Sequence, residues 1–225
     1  MDPKQESIAR SKREARSERR RNQTRVEILD SARDLVLRGG LAGFTLAAVA
    51  DELGLTKPAL YYYFDSKEAL LFELVLREWF ESATEVQAAV EESESGVEAV
   101  EQLMRTVFDR YRDRLEIFVL YFKMGPGGEF EGVIGPEELE RIRPVNDMLY
   151  GGAEARLRAD QKTGAFAKNR DPRRFAFTAH TAVIGLLNMK AIGASANDPL
   201  IHSDDDLIND LCTTFRVAAL HGGAK

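Results

Sequence analysis

Chemically reactive side chains are sparse and scattered in this chain. The single cysteine, Cys212, lies in an apolar helical pattern and has no partner for an internal disulfide bond. The three histidines, at positions 180, 202 and 221, are too far apart in sequence to suggest a metal cluster. No paired carboxylates, no nucleophile beside a base and no phosphate-binding loop stand out. The pattern therefore predicts no metal and no cofactor, and it favours a non-enzymatic protein.

The charge of the chain is unevenly distributed. The net charge is −6, yet residues 1–25 carry nine basic and four acidic side chains, which gives +5 there and leaves −11 elsewhere. A basic segment on an acidic body is typical of a nucleic-acid-binding tail, and a solvated, disordered leader is the alternative. Residues 1–25 have no apolar stretch, and no apolar run looks long enough to cross a bilayer. We therefore expect a cytoplasmic protein.

Apolar residues recur with helical spacing along the whole chain, and no run shows the alternation of a β-strand. The fold is expected to be all-α. Residues 1–23 are expected to form a disordered basic arm, residues 24–67 a three-helix domain, and residues 68–225 a larger helical domain. The glycine- and proline-rich segment 125–136 predicts a loop, and Pro144 predicts an interruption of the helix that follows it.

The most informative segment is 46–63, LAAVADELGLTKPALYYY, which fits a helix-turn-helix. Such a motif needs a small residue where its helices cross and a turn residue that tolerates positive φ, and Ala50 and Gly54 meet these needs. Thr56 can cap the second helix, with Pro58 in its first turn. An ordinary helical hairpin in a protein core is the alternative. It would bury tyrosine hydroxyls that a DNA surface satisfies with phosphate oxygens, so we favour DNA binding.

The run 44–71, FTLAAVADELGLTKPALYYYFDSKEALL, resembles the DNA-binding domain of the TetR family of one-component transcription regulators. The matching positions are Thr45, Ala50, Gly54, Leu60, Tyr61, Phe64, Lys67 and Leu70. The resemblance implies that Thr45 and Lys67 bind phosphate groups at the N-termini of their helices. It further implies contacts with the major groove or its walls by Thr56, Lys57, Ala59, Tyr61 and Tyr62. Tyr63 departs from the family, in which histidine is common at this position.

The predicted DNA-binding domain is itself poor in cations. Positions 45–67 hold two lysines against three acidic residues, so the domain alone should bind DNA weakly. We therefore expect the basic arm to add phosphate or minor-groove contacts. The candidate residues are Arg19, Arg20, Arg21 and Arg25.

The resemblance also implies that the larger domain binds a small molecule and that its last two helices form a homodimer. The expected seam consists of Ile184, Leu187 and Ala191 on one helix and Leu207, Leu211, Phe215 and Ala218 or Ala219 on the other, with an internal core as the alternative. An aromatic stripe on helix 97–122 is either plain core or the lining of a pocket, and the loop 125–136 is either a flap or a connector. The candidate ligand-binding residues are Phe108, Tyr111, Phe118, Phe122, Met148, Phe177, His180, Ile184 and Asn188.

A specific function follows as a hypothesis. A small apolar or aromatic molecule would shift the population of dimer states and release a repressor from a palindromic operator. The alternatives are an architectural DNA-binding protein without an effector and, less favoured, an all-helical enzyme.

Overall fold

The computed structural model describes residues 3–41, 43–123, 132–195 and 202–221, with the backbone alone for residues 3–11, 121–123 and 195. The regular structure in these ranges is helical throughout, which confirms the all-α prediction. The helices are α1 (Pro3–Gly39), α2 (Leu46–Glu52), α3 (Lys57–Tyr63), α4 (Lys67–Glu91), α5 (Gly96–Tyr111), α6 (Leu115–Lys123), α7 (Pro136–Thr163), α8 (Pro172–Ser195) and α9 (Asp204–Leu220). The chain forms two compact units, Met1–Leu74 and Val75–Lys225, and the boundary between them lies within α4.

The first unit has a small apolar core. On α1, Ile28, Ala32 and Val36 are spaced by one helical turn, and all three are fully buried. Helix α2 contacts both α1 and α3, and its Val49 contributes to the same core. Leu60 on α3 is buried as well. This packing fixes the positions of the two short helices, which would be unstable in isolation because they span only seven residues each.

Residues 3–23, expected to be a disordered arm, form the first part of α1 instead. The segment has no glycine and no proline after Pro3, and it is rich in Lys, Arg, Gln, Glu and Ala, which favour helices. Pro3 at the first helical position sacrifices no backbone hydrogen bond. Extending a helix that the packed part of α1 has already nucleated costs little free energy. Low hydrophobicity, on which the expectation of disorder rested, excludes a packed core but permits an exposed helix.

The second unit is built around α5, which contacts α7, α8 and α9. Gly96 at the start of α5 allows a close approach to α7, because a Cβ atom there would lie 2.5 Å from the backbone nitrogen of Leu157. Leu187 on α8, expected at a dimer seam, is fully buried within the chain and belongs to this core. Helix α7 runs through Pro144 without the expected interruption. Pro144 lies on an exposed face, where the carbonyl group it leaves unpaired remains accessible to water.

A buried ionic cluster joins α4 to α5 inside the second unit. The side chain of Arg110 is 3% exposed, and its Nη2 lies 2.9 Å from Oε2 of Glu78, which is 1% exposed. The same nitrogen lies 2.8 Å from Oε2 of Glu81, and Nη1 pairs with Glu85. The three carboxylates share one face of α4 because they are spaced by three and four residues.

Helix α8 differs from the expectation that no segment could cross a bilayer. Within the described ranges, it is the one helix long and apolar enough to do so by length and composition, with a mean hydropathy of 1.3 in an 18-residue window of Pro172–Ala194. Charged and polar side chains interrupt every apolar run in α8. The sequence therefore shows no long apolar run there, although the average hydropathy of the helix is high. Only 28% of that window is buried within the chain. One such helix is weak evidence for a membrane span, since helices of soluble proteins pass the same test.

Candidate DNA-binding and effector sites

Helices α2 and α3 form the predicted helix-turn-helix. Ala50 is buried where the two helices meet, and Gly54 in the turn has the predicted positive φ, +64°. The backbone nitrogen of Leu55 donates to the carbonyl oxygen of Ala50 at 2.8 Å and closes the turn. Both helices have side-chain caps at their N-termini. Thr45 Oγ1 accepts a hydrogen bond from the Ala48 nitrogen at 3.0 Å, and Thr56 Oγ1 accepts one from the Ala59 nitrogen at 3.3 Å.

Helix α3 presents its tyrosines to solvent. Tyr61 is 50% exposed and Tyr62 is 70% exposed, and Lys57 at the start of the helix is exposed too. Ala59 is half-buried, while Leu60 attaches the opposite face of α3 to the core. A hairpin buried in a protein core would place the tyrosines inside, so that interpretation is wrong. The outward face of α3 combines an ammonium group with two phenol hydroxyls, which suit phosphate oxygens and base edges.

The two predicted phosphate-binding residues lie close to the same aromatic ring. Phe44 is fully buried and directly precedes Thr45, and the Nζ atom of Lys67 lies 5.7 Å from the centre of its ring. Ser66 caps α4 by accepting a hydrogen bond from the Ala69 nitrogen at 3.0 Å. Thr45 is exposed at the N-terminus of α2, and half-buried Lys67 is the first residue of α4. Thr45 and Lys67 are thus each at the positive end of a helix, and the ammonium group of Lys67 lies near the residue that precedes Thr45.

Arg25 has a different environment from the one expected of a DNA contact. Its Nη1 donates to the carbonyl oxygen of Tyr63 at 3.2 Å, and its Nη2 lies 3.1 Å from a carboxylate oxygen of Glu73. The guanidinium carbon lies 4.4 Å from the centre of the Phe64 ring. These contacts attach α1 to the end of α3 and to α4. Arg21, one turn earlier, is exposed.

Several of the predicted ligand-binding residues lie deep in the second unit. Phe108, Tyr111 and Phe118 are all buried, and the ring centres of Tyr111 and Phe118 are 5.9 Å apart. Phe122 has a side chain outside the described residues, and the predicted flap at 125–136 lies largely outside them as well. The half-buried members of the predicted set are Met148, His180, Ile184 and Asn188.

His180 has a partner that the sequence did not reveal. The hydroxyl of Tyr150 on α7 and Nδ1 of His180 are 2.6 Å apart. Burial lowers the pKa of His180 to about 4, and burial likewise raises the pKa of Tyr150 to about 12. Both side chains are therefore neutral near pH 7. The hydrogen bond runs from the tyrosine hydroxyl to Nδ1 in one neutral imidazole tautomer and from Nδ1–H to the hydroxyl oxygen in the other.

An open cavity lies beside this pair. It has a volume of about 390 Å³ and is lined by Asn146, Tyr150, Asp171, Arg173, Arg174 and Phe177. Phe177 is the one member of the predicted ligand-binding set that lines it, and its ring centre is 5.7 Å from that of Tyr150. The cavity therefore combines two aromatic rings with charged groups of both signs.

Other reactive side chains do not form a second site in the ranges that the structure describes. Cys212 is buried, and burial raises the pKa of its thiol above the ordinary value. No group of three or more metal-ligating side chains is found among the described residues.

Comparison with known proteins finds a family match for the segment that holds the helix-turn-helix. Residues 28–74 match the family model described as bacterial regulatory proteins of the tetR family. This segment, which contains the helix-turn-helix, is therefore similar in sequence to the DNA-binding domain of tetR-family regulators. The transcriptional repressor KstR2 from Rhodococcus jostii strain RHA1 is 25% identical to it over 150 residues, which cover 65% of this chain and 70% of the repressor.

Solved structures show the same fold as this chain over nearly its whole length. A TetR family transcription regulator from Marinobacter aquaeolei VT8 is 17% identical, with a TM-score of 0.61 and coverage of 89% of this chain and 97% of that one. FadR from Bacillus subtilis, in complex with stearoyl-CoA, is 14% identical, with a TM-score of 0.62 and coverage of 87% and 99%. The family-model match lies within the first compact unit, Met1–Leu74, which holds the helix-turn-helix.

Proposed function

We propose that this chain is a homodimeric, cytoplasmic transcriptional repressor that binds a palindromic operator and is released by a small apolar or aromatic molecule. The observation that carries the proposal is the outward face of α3, on which Tyr61 and Tyr62 are exposed beside a turn with positive φ at Gly54. Recognition helices of a dimer read half-sites about 34 to 36 Å apart, so two copies of α3 would fit successive major grooves.

The DNA contacts divide into two kinds. Thr45 and Lys67 are proposed to bind phosphate groups, because each lies at a helix N-terminus near Phe44. The groove contacts are proposed for Thr56, Lys57, Ala59, Tyr61 and Tyr62. Arg21 is exposed and free to approach a phosphate, whereas Arg25 is occupied by Phe64 and other groups of its own domain. We assign Arg25 a structural role that supports α3.

The DNA-binding proposal is tested with duplexes that the purified protein selects from random-sequence DNA. Tyr62→Ala should weaken binding to the selected duplex about 5- to 150-fold, which corresponds to a loss of about 1 to 3 kcal/mol for a groove contact. Unfolding by urea should be unchanged because the side chain is largely exposed. Leu139→Ala on α7, which is 56% exposed, is the matched control and should bind normally. Failure to select any sequence over competitor DNA, or full affinity in folded Tyr62→Ala, contradicts the proposal.

The dimer is proposed to form through α8 and α9. These two helices carry large apolar side chains that the single chain leaves about half exposed or more, and those assigned to the interface are Met189, Ile192, Val217 and Leu220. Burial of such side chains against a second copy is favourable at about 25 cal/mol for each Å² of apolar surface. A second copy would also explain why the apolar helix α8 is so little buried within one chain.

Sedimentation velocity tests this interface. Met189→Glu should convert a dimer to a monomer and should abolish high-affinity binding to a full palindrome, because a buried unpaired carboxylate is costly. Leu139→Glu on α7 is the control and should remain dimeric. A Met189→Glu variant that stays dimeric would place the interface elsewhere.

The effector is proposed to occupy the second unit near the Tyr150 and His180 pair. The cavity of about 390 Å³ lies within the size range of small-molecule sites, and Phe177 in its wall is a predicted ligand-binding residue. FadR from Bacillus subtilis, which has the same fold, binds stearoyl-CoA, a molecule with a long apolar chain. That precedent supports an apolar effector here. The apolar body would first contact Phe177 in the cavity wall, and polar groups of the ligand would bind His180 and Asn188. Contact with Phe108, Tyr111 and Phe118, which are buried and do not line the cavity, would require the second unit to open.

A thermal-shift screen of acyl, aryl and terpenoid compounds would find candidate effectors, and operator affinity would then be measured with and without each one. A true effector should weaken operator binding about 5- to 150-fold, the usual range of allosteric coupling. Its own affinity should fall in a Phe177→Ala variant that binds DNA normally. Compounds that bind the protein but leave operator affinity unchanged would contradict ligand-controlled repression.

A further inference from the structure

The N-terminal half of α1 carries a cationic face. Its side chains from residue 12 to residue 23 are exposed. At 100° per residue, five cations fall within an arc of about 120°, while Glu14 and Glu18 lie on the opposite side of the helix. These five residues, the cationic stripe, are Lys12, Arg13, Arg16, Arg19 and Arg20. In the ranges that the structure describes, none of the five forms an ion pair with a carboxylate.

The cationic stripe faces away from the core side of its own helix. The core side is marked by Ile28, Ala32 and Val36, which are fully buried, and the centre of the stripe lies about 160° around the helix from them. Arg25 provides an independent check. The same spacing places it on the core side, where its guanidinium group contacts the Phe64 ring. The stripe is therefore a separate surface that packing of the domain does not use.

The charge on the outer side of α1 changes sign along the helix. Between residues 27 and 34, the charged side chains that continue the face of the stripe are Glu27, Asp30 and Asp34. Arg38, farther along the same face, is paired with Glu52. A polyanion that binds the stripe is repelled by this acidic part. The polyanion should consequently contact only the N-terminal extension of α1, residues 3–23, which precedes the helix-turn-helix domain.

We propose that the cationic stripe binds backbone phosphates of the duplex that flanks the operator, and that it does so as a preformed helix. The proposal rests on the proposed function, in which α3 occupies a major groove. A helix with its side chains is about 10 to 12 Å wide, whereas the minor groove of B-DNA is about 6 Å wide, so the extension cannot enter that groove as a helix. This differs from the minor-groove contact that a flexible basic arm makes.

The spacing of the cationic stripe suits a duplex. From residue 12 to residue 20 the helix rises about 12 Å, and B-DNA presents about seven phosphates over that length. A helix that is already ordered loses less conformational entropy on binding than a disordered arm does. Phosphate contacts of this kind are insensitive to sequence. The stripe should therefore raise affinity for an operator set in longer DNA without changing which operator is chosen.

The test uses the full chain and two duplexes, the selected operator alone and the same operator with ten base pairs added on each side. The wild type should bind the longer duplex more tightly. The triple variant Arg13→Gln, Arg16→Gln, Arg20→Gln should lose that gain, and its salt slope on the longer duplex should fall by about 2.7 for each protomer, at about 0.9 per phosphate. Single substitutions compare the stripe with a cation elsewhere on the surface: Arg16→Gln should weaken binding to the longer duplex, and the matched Lys162→Gln, at an exposed position on α7, should not.

A helix-breaking variant tests the preformed helix itself. Ala15→Pro keeps every charge and should lower both the helical circular dichroism signal and the gain from longer DNA. Full retention of the gain in Ala15→Pro would overturn the proposal in favour of a flexible arm. Equal effects of Arg16→Gln and Lys162→Gln would overturn it as well.

Two further outcomes would also overturn it. An unchanged salt slope in the triple variant, with operator selection intact, would refute the stripe and leave the proposed function standing. A change in sedimentation without a change in DNA binding would show that the stripe contacts the acidic outer face of α1 in a second copy. Loss of all sequence-selective binding in the wild type would instead be a failure of the proposed function.

Discussion

Replacement of Arg110 by methionine should destabilise the second unit by about 3 to 5 kcal/mol, the usual cost of removing one member of a buried ion pair. Most of this cost is expected at Glu78, which is 1% exposed and has an oxygen 2.9 Å from the arginine. Glu81 and Glu85 are 42% and 51% exposed, so water can solvate them once the arginine is gone. Their pairs should contribute about 0 to 1 kcal/mol each, as exposed ion pairs do.

A double-mutant cycle measured by urea unfolding checks this reasoning. Glu81→Gln should cost less than about 1 kcal/mol and serves as the solvated control. The double variant Arg110→Met, Glu78→Leu should recover most of the stability lost in Arg110→Met, because a buried ion pair is often replaced by apolar side chains at little net cost. An Arg110→Met variant as stable as the wild type, or a double variant less stable than the single one, would refute the assignment of the cost to Glu78.

Two more predictions concern the packing and titration of the second unit. Gly96→Ala should lower the free energy of unfolding in urea by about 1 to 3 kcal/mol, because the added Cβ would lie 2.5 Å from the Leu157 nitrogen. The control Gly151→Ala has open space around it and should stabilise α7 by up to about 1 kcal/mol. Equal effects of the two substitutions would contradict the close approach at Gly96. Because burial lowers the pKa of His180 to about 4, the unfolded chain binds a proton there more readily, so stability should fall as the pH drops from about 6.5 towards 4. Unfolding of wild type and His180→Gln at pH 7 and pH 4.5 measures this effect, and an identical pH dependence in both would show that His180 does not cause it.

The helix-turn-helix could be predicted from sequence because its determinants are local. Gly54 is needed for a positive φ, Ala50 for a close crossing and Thr56 for a cap, and the structure shows all three in those roles. Each requirement acts within a few residues and leaves a recognisable residue type at a fixed spacing. The exposed tyrosines on α3 followed from the same register.

Contacts between distant segments could not be predicted in this way. Tyr150 pairs with His180 across two helices, and Arg110 pairs with Glu78 from the preceding helix. A tyrosine or arginine in a helical pattern carries no mark of the partner it meets after folding. The predicted ligand-binding residues rest on their positions on helical faces, and they remain a prediction. Pro144 shows an error in the opposite direction. The local rule for proline predicted a break in the helix, but α7 continues through Pro144, which lies on an exposed face.

The arginines of α1 show why charge counts alone do not assign function. Arg16 and Arg25 are the same residue type on the same helix, only nine positions apart, and a basic-arm interpretation treats them alike. Nine residues turn the helix by about 180°, so the two side chains leave opposite sides of it. Arg25 consequently lies over the Phe64 ring and supports α3, while Arg16 is exposed to solvent. Only a continuous helix fixes this division, since in a disordered arm both side chains would sample the same surroundings. The helical state of residues 3–23 is therefore what makes a phosphate-binding stripe distinguishable from a generally basic tail.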